Sequence, residues 1–251
     1  MKRSQASRMS DIIHGVKRKP PNPTNWQFAT LPQKIFLPER ASIKDRFGRV
    51  YHQRYSDCTA NAVLACDAYY YHKKGWMPST VFTYYNQKKK IDKTDMSDDG
   101  GSSVESALNA VRKFGACNSK VWSNDKPFNE KPTLEAYTDG LKGHELTKYY
   151  QVRTLGQIRQ ALSQGYPVVV AVAWLFDFMN KYYTLNDVSK DRAKKCDSGH
   201  AIVIVGYNDS VERFEIRNSW GEGWGNNGYA YITYETMENV IWWDDSYAVV
   251  R

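Results

Sequence analysis

The hydrophobic pattern changes period once along the chain. From Cys58 to about residue 143, apolar residues recur at three- and four-residue spacing and predict helices over 57–72, 79–89 and 102–114. The last of these carries the stripe Val104, Ala107, Leu108 and Val111 and stops at Phe114-Gly115. Beyond residue 143 the extended pattern dominates. A surface helix is predicted over 154–164, and the short β-branched run from Pro167 to Trp174 then reads as a buried strand. Further strands are predicted over 200–207, 211–217, 228–234 and 240–250. Residues 180–198 are polar and aperiodic and predict a loop before His200. Helices followed by strands predict an α+β fold, with a helical lobe over about 45–143 and a β lobe over about 144–251.

Composition places the chain among folded proteins, since 41% of its 251 residues are hydrophobic and 14% aromatic. No apolar stretch approaches the roughly 20 residues of a transmembrane helix, so no membrane partner is expected. Met1-Lys2-Arg3 is basic, but no continuous apolar segment follows it, which predicts a protein kept inside a cell or packaged in a virion. The formal charge of +8 is concentrated at the N-terminus, where Lys2, Arg3, Arg8, Lys17, Arg18 and Lys19 face Asp11 as the lone acid. Residues 1–24 are therefore set apart as a basic arm ending in the linker Pro20-Pro21-Asn22-Pro23, with residues 25–251 as the body. The proline spacing predicts a solvated tail, able to touch a polyanion or an anionic scaffold. The alternative is a short inhibitory segment within 11–30 lying across a cleft, with Ile12 and Ile13 as anchors. His14, His52, His72 and His144 lack partners at zinc-site spacing, so no metal or organic cofactor is expected. The pattern says nothing of oligomeric state.

The candidate chemistry begins at Cys58. Tyr55-Ser56-Asp57 gives way there to the alanine-rich run from Thr59 to Ala65, which places the sulfur at the first turn of a helix. The partial positive charge of a helix N-terminus favours a thiolate. Two later segments carry complementary groups: Gly199-His200-Ala201-Ile202-Val203 and Arg217-Asn218-Ser219-Trp220-Gly221. His200 follows Cys58 by 142 residues and Asn218 follows His200 by 18. A papain-type cysteine and histidine are expected about 130 to 150 residues apart. Together these segments resemble the papain family of cysteine peptidases. The run Cys58-Thr59-Ala60-Asn61-Ala62, with Phe82-Thr83-Tyr84-Tyr85-Asn86, is most similar to the branch with bacterial, archaeal and large DNA virus members.

The resemblance implies a two-lobed fold, with a helical lobe carrying Cys58, a β-barrel-like lobe carrying His200 and Asn218, and a cleft between them. It implies an endopeptidase acting on polypeptides through a thioester on Cys58, with His200 as base and then acid and Asn218 orienting it. Trp220 would shield the His200–Asn218 hydrogen bond, and Gly100 and Gly101 would offer their backbone to an extended substrate. A glutamine normally stands six residues before the nucleophile. His52 stands there and Gln53 stands five before, so one of the two completes the oxyanion hole with the Cys58 N–H. A neutral amide donates without titrating, which favours Gln53. Asp57 reads as the N-cap of the cysteine helix.

Secreted relatives join this loop to the Gly-Gly segment by a disulfide, and the corresponding positions here are Tyr55 and Asp98. Cys66 and Cys117 read as core residues and Cys196 as a loop cysteine near the cleft, which points to a reducing compartment. Trp174, Leu175, Phe176 and Ala201 suggest an apolar second subsite. Two other functions share these features: a degenerate papain fold serving as a binding or structural component, for example of a virus particle, and acyl transfer to an amine.

Overall fold

The computed structural model describes residues 15–30, 36–71, 76–142, 148–175, 178 and 184–251. Its central helix α1, Cys58–Tyr71, is built from alanine and small residues and is buried over most of its surface, including Cys58, Val63, Leu64 and Cys66. Helix α2, Thr80–Tyr85, starts at the cap Ser79, whose side chain accepts from the Phe82 N–H. The helix predicted over 79–89 does not stay α-helical: Asn86–Asp92 continue as a π-helical turn that stops at Lys93 in the left-handed region. Helix α3, Val104–Phe114, is capped by Ser103 and buries the predicted stripe. Helix α4, Leu134–Gly140, completes this lobe.

The strands form one eight-stranded sheet. Beyond β1, Arg40–Ser42, they are β2, Lys148–Gln151; β3, Val168–Ala173; β4, Thr184–Leu185; β5, Gly199–Asn208; β6, Arg213–Arg217; β7, Tyr229–Thr233; and β8, Ile241–Val250. Their order is β2-β8-β3-β5-β6-β7-β4, with β1 paired to β5. All named pairs are antiparallel except β4 with β7. β3 is buried at every position, as its unbroken apolar run requires. The sheet is an open path between β2 and β4 among the described residues.

Helices α5, Leu155–Ser163, α6, Lys190–Lys194, and α7, Tyr234–Val240, pack around it. The segment predicted as an aperiodic loop over 180–198 thus holds β4 and α6, while residues 180–183 lie outside the described part. The β lobe also reaches back past its predicted start at 144. Arg40 pairs with Asn208, and the Gln151 N–H donates to the Trp26 carbonyl. One continuous apolar cluster joins α1, α3 and the sheet, which fixes the cysteine helix against β5.

Candidate active site

Cys58 begins α1 at the seam between helical and β lobes, and the backbone N–H of Ala201 on β5 points at its thiol. The next residue back along β5 is His200. Its ring is fully buried, and Nε2–H donates to Asn218 Oδ1 at 2.7 Å. The same Oδ1 accepts the Ser219 N–H at 2.8 Å, so Oδ1 is the acceptor and Nε2 carries the hydrogen. Nδ1 has no hydrogen-bond partner, which leaves its lone pair for a proton. Trp220 lies against the ring with centroids 5.0 Å apart, Trp174 meets it edge-on at 4.7 Å, and Trp224 packs behind both. This aromatic cage keeps water from the His200–Asn218 bond. It also corrects the expectation for Trp174, which is buried against His200 and does not line a subsite. Phe176 lies outside the described residues.

The loop before Cys58 separates the two oxyanion candidates. His52 is exposed, and its Nδ1 lies 3.1 Å from the Trp220 carbonyl. Gln53 is buried. Its side-chain oxygen accepts from Ser219 Oγ at 2.6 Å, its backbone N–H donates to the Ser219 carbonyl, and one amide hydrogen donates to the Tyr55 carbonyl. The second amide hydrogen is left for a ligand. Ser219 thus holds Gln53 in one orientation, a role the sequence analysis missed although Ser219 adjoins Asn218.

Asp57 departs from its expected role. Its carboxyl group is fully buried beside Thr80 and Asn61, and neither oxygen reaches hydrogen-bonding geometry, so it does not cap α1. Burial pushes its pKa up to about 7, with the nearby Asp99 charge adding to the effect. All four cysteines are free, with Cys66 and Cys117 buried and Cys196 half-buried beside the Trp174 carbonyl. No group of three or more metal-ligating side chains occurs among the described residues, and no helix there is long and apolar enough to cross a membrane.

The largest departure from expectation is the basic arm, whose residues 15–19 lie in the cleft. Gly15 sits over the nucleophile so closely that a Cβ added to it would overlap Cys58 Sγ. The Ser102 N–H donates to the Gly15 carbonyl at 2.9 Å, the Lys17 N–H to the Ser102 carbonyl at 3.0 Å, and the Val16 N–H to the Gly199 carbonyl at 3.2 Å. Gly101 has φ +70 and its Cα faces the Gly15 carbonyl, a contact that any side chain would block. Arg18 stacks on Trp242 at 4.1 Å, and Lys19 pairs with Asp92 at 2.6 Å and also donates to Ser106. Asn22, within the proline-rich linker, donates to Glu105 at 2.8 Å. Backbone pairing and these specific cation contacts therefore replace the solvated tail that charge and proline content predict. Ile12 and Ile13 lie outside the described residues.

Burial at Cys58 opposes the thiolate that a helix N-terminus favours. Burial pushes the Cys58 thiol up to about 12, against the opposing pull of the Ala201 N–H, and pushes His200 down to about 4 despite its bond to Asn218. The helix N-terminus does not outweigh the loss of water around the sulfur.

Cys58, a histidine held by an asparagine, a buried glutamine and a flanking Gly-Gly segment meet across two lobes in the arrangement of the papain family. The sequence model described as papain family cysteine protease matches residues 40–248, and the chain belongs to that family. It is 28% identical over 207 residues to an uncharacterised peptidase C1-like protein of Acanthamoeba polyphaga mimivirus, covering 74% of this chain and 65% of that one. It is 31% identical over 179 residues to the cathepsin B-like CP3 of Giardia intestinalis, covering 70% and 50%. The chain thus spans about half to two thirds of the length of these curated relatives. Xylellain, a cysteine protease from Xylella fastidiosa, has the same fold at TM-score 0.82 and 25% identity, over 96% of this chain and 97% of that one. The digestive procathepsin L 3 of Tenebrio molitor larval midgut shares the fold at TM-score 0.71 and 16% identity, over 98% and 79%. The family accordingly has bacterial and viral members similar to this chain.

Proposed function

We propose that the protein is a cysteine endopeptidase that hydrolyses peptide bonds through a thioester on Cys58 and is kept latent by its own residues 15–19. The observation that carries this reading is the backbone of Gly15 lying over Cys58. Residues 15–19 pair with Ser102 and Gly199 while the backbone of Gly15 covers the sulfur, which supports a cleft that takes a stretch of polypeptide.

Catalysis starts when the arm leaves and water returns. His200 Nδ1 takes the Cys58 proton, the resulting imidazolium is held by Asn218, and the thiolate attacks the substrate carbonyl. The oxyanion accepts hydrogen bonds from the Cys58 N–H and the free Gln53 amide hydrogen. His200 returns the proton to the leaving amine, and water then hydrolyses the thioester by the same exchange.

The arm escapes cleavage for a geometric reason. The Gly15 carbonyl is tied to the Ser102 N–H and faces Gly101, so it is turned towards that wall of the cleft. Each backbone bond contributes about 1 kcal/mol net, and burial of Val16 about 1.5–3 kcal/mol. A tethered segment held this firmly outcompetes a free peptide because its effective concentration is high, of order millimolar.

Gly15→Leu in the full chain should push the segment off the sulfur and raise peptide hydrolysis at least about tenfold, a change of ~1.4 kcal/mol. Adding Cys58→Ala to that variant should abolish both turnover and labelling by an epoxide thiol probe. Undiminished hydrolysis after Cys58→Ala would sink the assignment.

A further inference from the structure

All four cysteines are free, so no covalent bond ties the oxyanion loop to the substrate-aligning strand. A one-way run of hydrogen bonds does so instead. The Gly101 N–H donates to Tyr84 Oη at 3.0 Å, and the Tyr84 hydroxyl donates to Asp99 Oδ1 at 2.8 Å. The Asp99 carboxylate also accepts the Ser56 N–H, at 3.0 Å on one oxygen and 3.2 Å on the other. Every donor in the run points towards Asp99, and only an acceptor-only group can end it. Ser56 lies between the two oxyanion donors, Gln53 and the Cys58 N–H, whereas Gly101 is the wall against which the Gly15 carbonyl packs. Phe128 braces the arrangement, with its ring 5.2 Å from that of Tyr55 in the loop and 5.8 Å from that of Tyr84.

We propose that Tyr84 and Asp99 are positioning residues for peptide hydrolysis: they fix the oxyanion loop relative to the 100–102 backbone on which an extended substrate lies. Neither touches the reacting atoms. Their effect is on registry between the aligned peptide and the oxyanion donors, where a displacement of about 1 Å can cost on the order of 100-fold in rate. The inference rests on the peptidase reading given above.

The test uses the full chain carrying Gly15→Leu, with Cys58→Ala as its inactive control, so that failure of the peptidase reading is seen first and separately. Tyr84→Phe keeps the ring on Phe128 and removes both hydrogen bonds. Asp99→Asn keeps the size but places an amide donor against Tyr84 or Ser56. Each should lower kcat/KM on an extended peptide about 10- to 100-fold, mainly through kcat, while alkylation of Cys58 by iodoacetamide, which uses neither wall, changes less than about twofold. Amide hydrogen exchange, which needs no turnover, should show faster exchange at Ser56 and Gly101 in both variants. Unchanged kcat/KM with unchanged exchange would overturn the proposal. So would a parallel fall in alkylation and hydrolysis, which would mark a general structural role.

Discussion

Burial sets the protonation of Asp57, Cys58 and His200 more strongly than any neighbouring charge does. For Asp57 the consequence can be measured as stability. Its folded pKa of about 7 lies above the ordinary carboxyl value of about 3.9, so folding favours the neutral acid. That contribution is complete below about pH 4, declines by ~1.4 kcal/mol per pH unit as pH rises to about 7, and is flat beyond. Asp57→Asn should therefore leave Tm nearly unchanged at about pH 4 and raise it by several degrees at about pH 8. Calorimetric scans of both proteins across this range check the sign, and parallel pH profiles would contradict it. Cys58, His200 and Asn218 were legible in the sequence because their order and spacing are themselves the signal. The burial of Asp57 was not, because a carboxylate before a helix ordinarily faces water and local sequence carries no record of Thr80 and Asn61 closing over it.

Helix α3 shows how far local signals reach at the scale of an element. Ser103 caps it through the Ser106 N–H, as a serine before an apolar stripe suggests. The next two free N–H groups, of Val104 and Glu105, are taken by Asp245 of β8 at 2.8 and 2.9 Å. A cap supplied from about 140 residues away leaves no pattern near the helix. Asp245→Ala should destabilise the fold by about 1–2 kcal/mol. In urea this appears as a lower midpoint with an unchanged slope, and an unchanged midpoint would show that Ser103 alone suffices. Helix α3 is readable from its helical period, and α1, β3 and β5 from unbroken runs of small or β-branched apolar residues. Helices α4, α6 and α7 have seven, five and seven residues, about two turns or fewer, too short to display a period. The helix predicted over 79–89 matches in position but not in winding, which changes at Asn86, where the run Asn86–Asp92 is polar apart from Ile91 and carries no apolar period to signal it.

The whole molecule is where charge alone misleads. Six cations and three prolines near the N-terminus predict a tail in water, yet residues 15–19 lie in the cleft over Cys58. The partners that hold them, Ser102, Gly199, Asp92 and Trp242, come from four separate stretches of chain and converge only in the folded state. Under the proposed latency, removing the arm returns water to the sulfur of Cys58, and the upward push that burial exerts on its thiol is relieved. The most direct measurement of this account is kcat/KM on one short peptide for the full chain and for the chain lacking residues 1–19, at the same pH and salt. The account predicts a gain of at least about tenfold on removal of the arm, whereas equal specificity constants would contradict it.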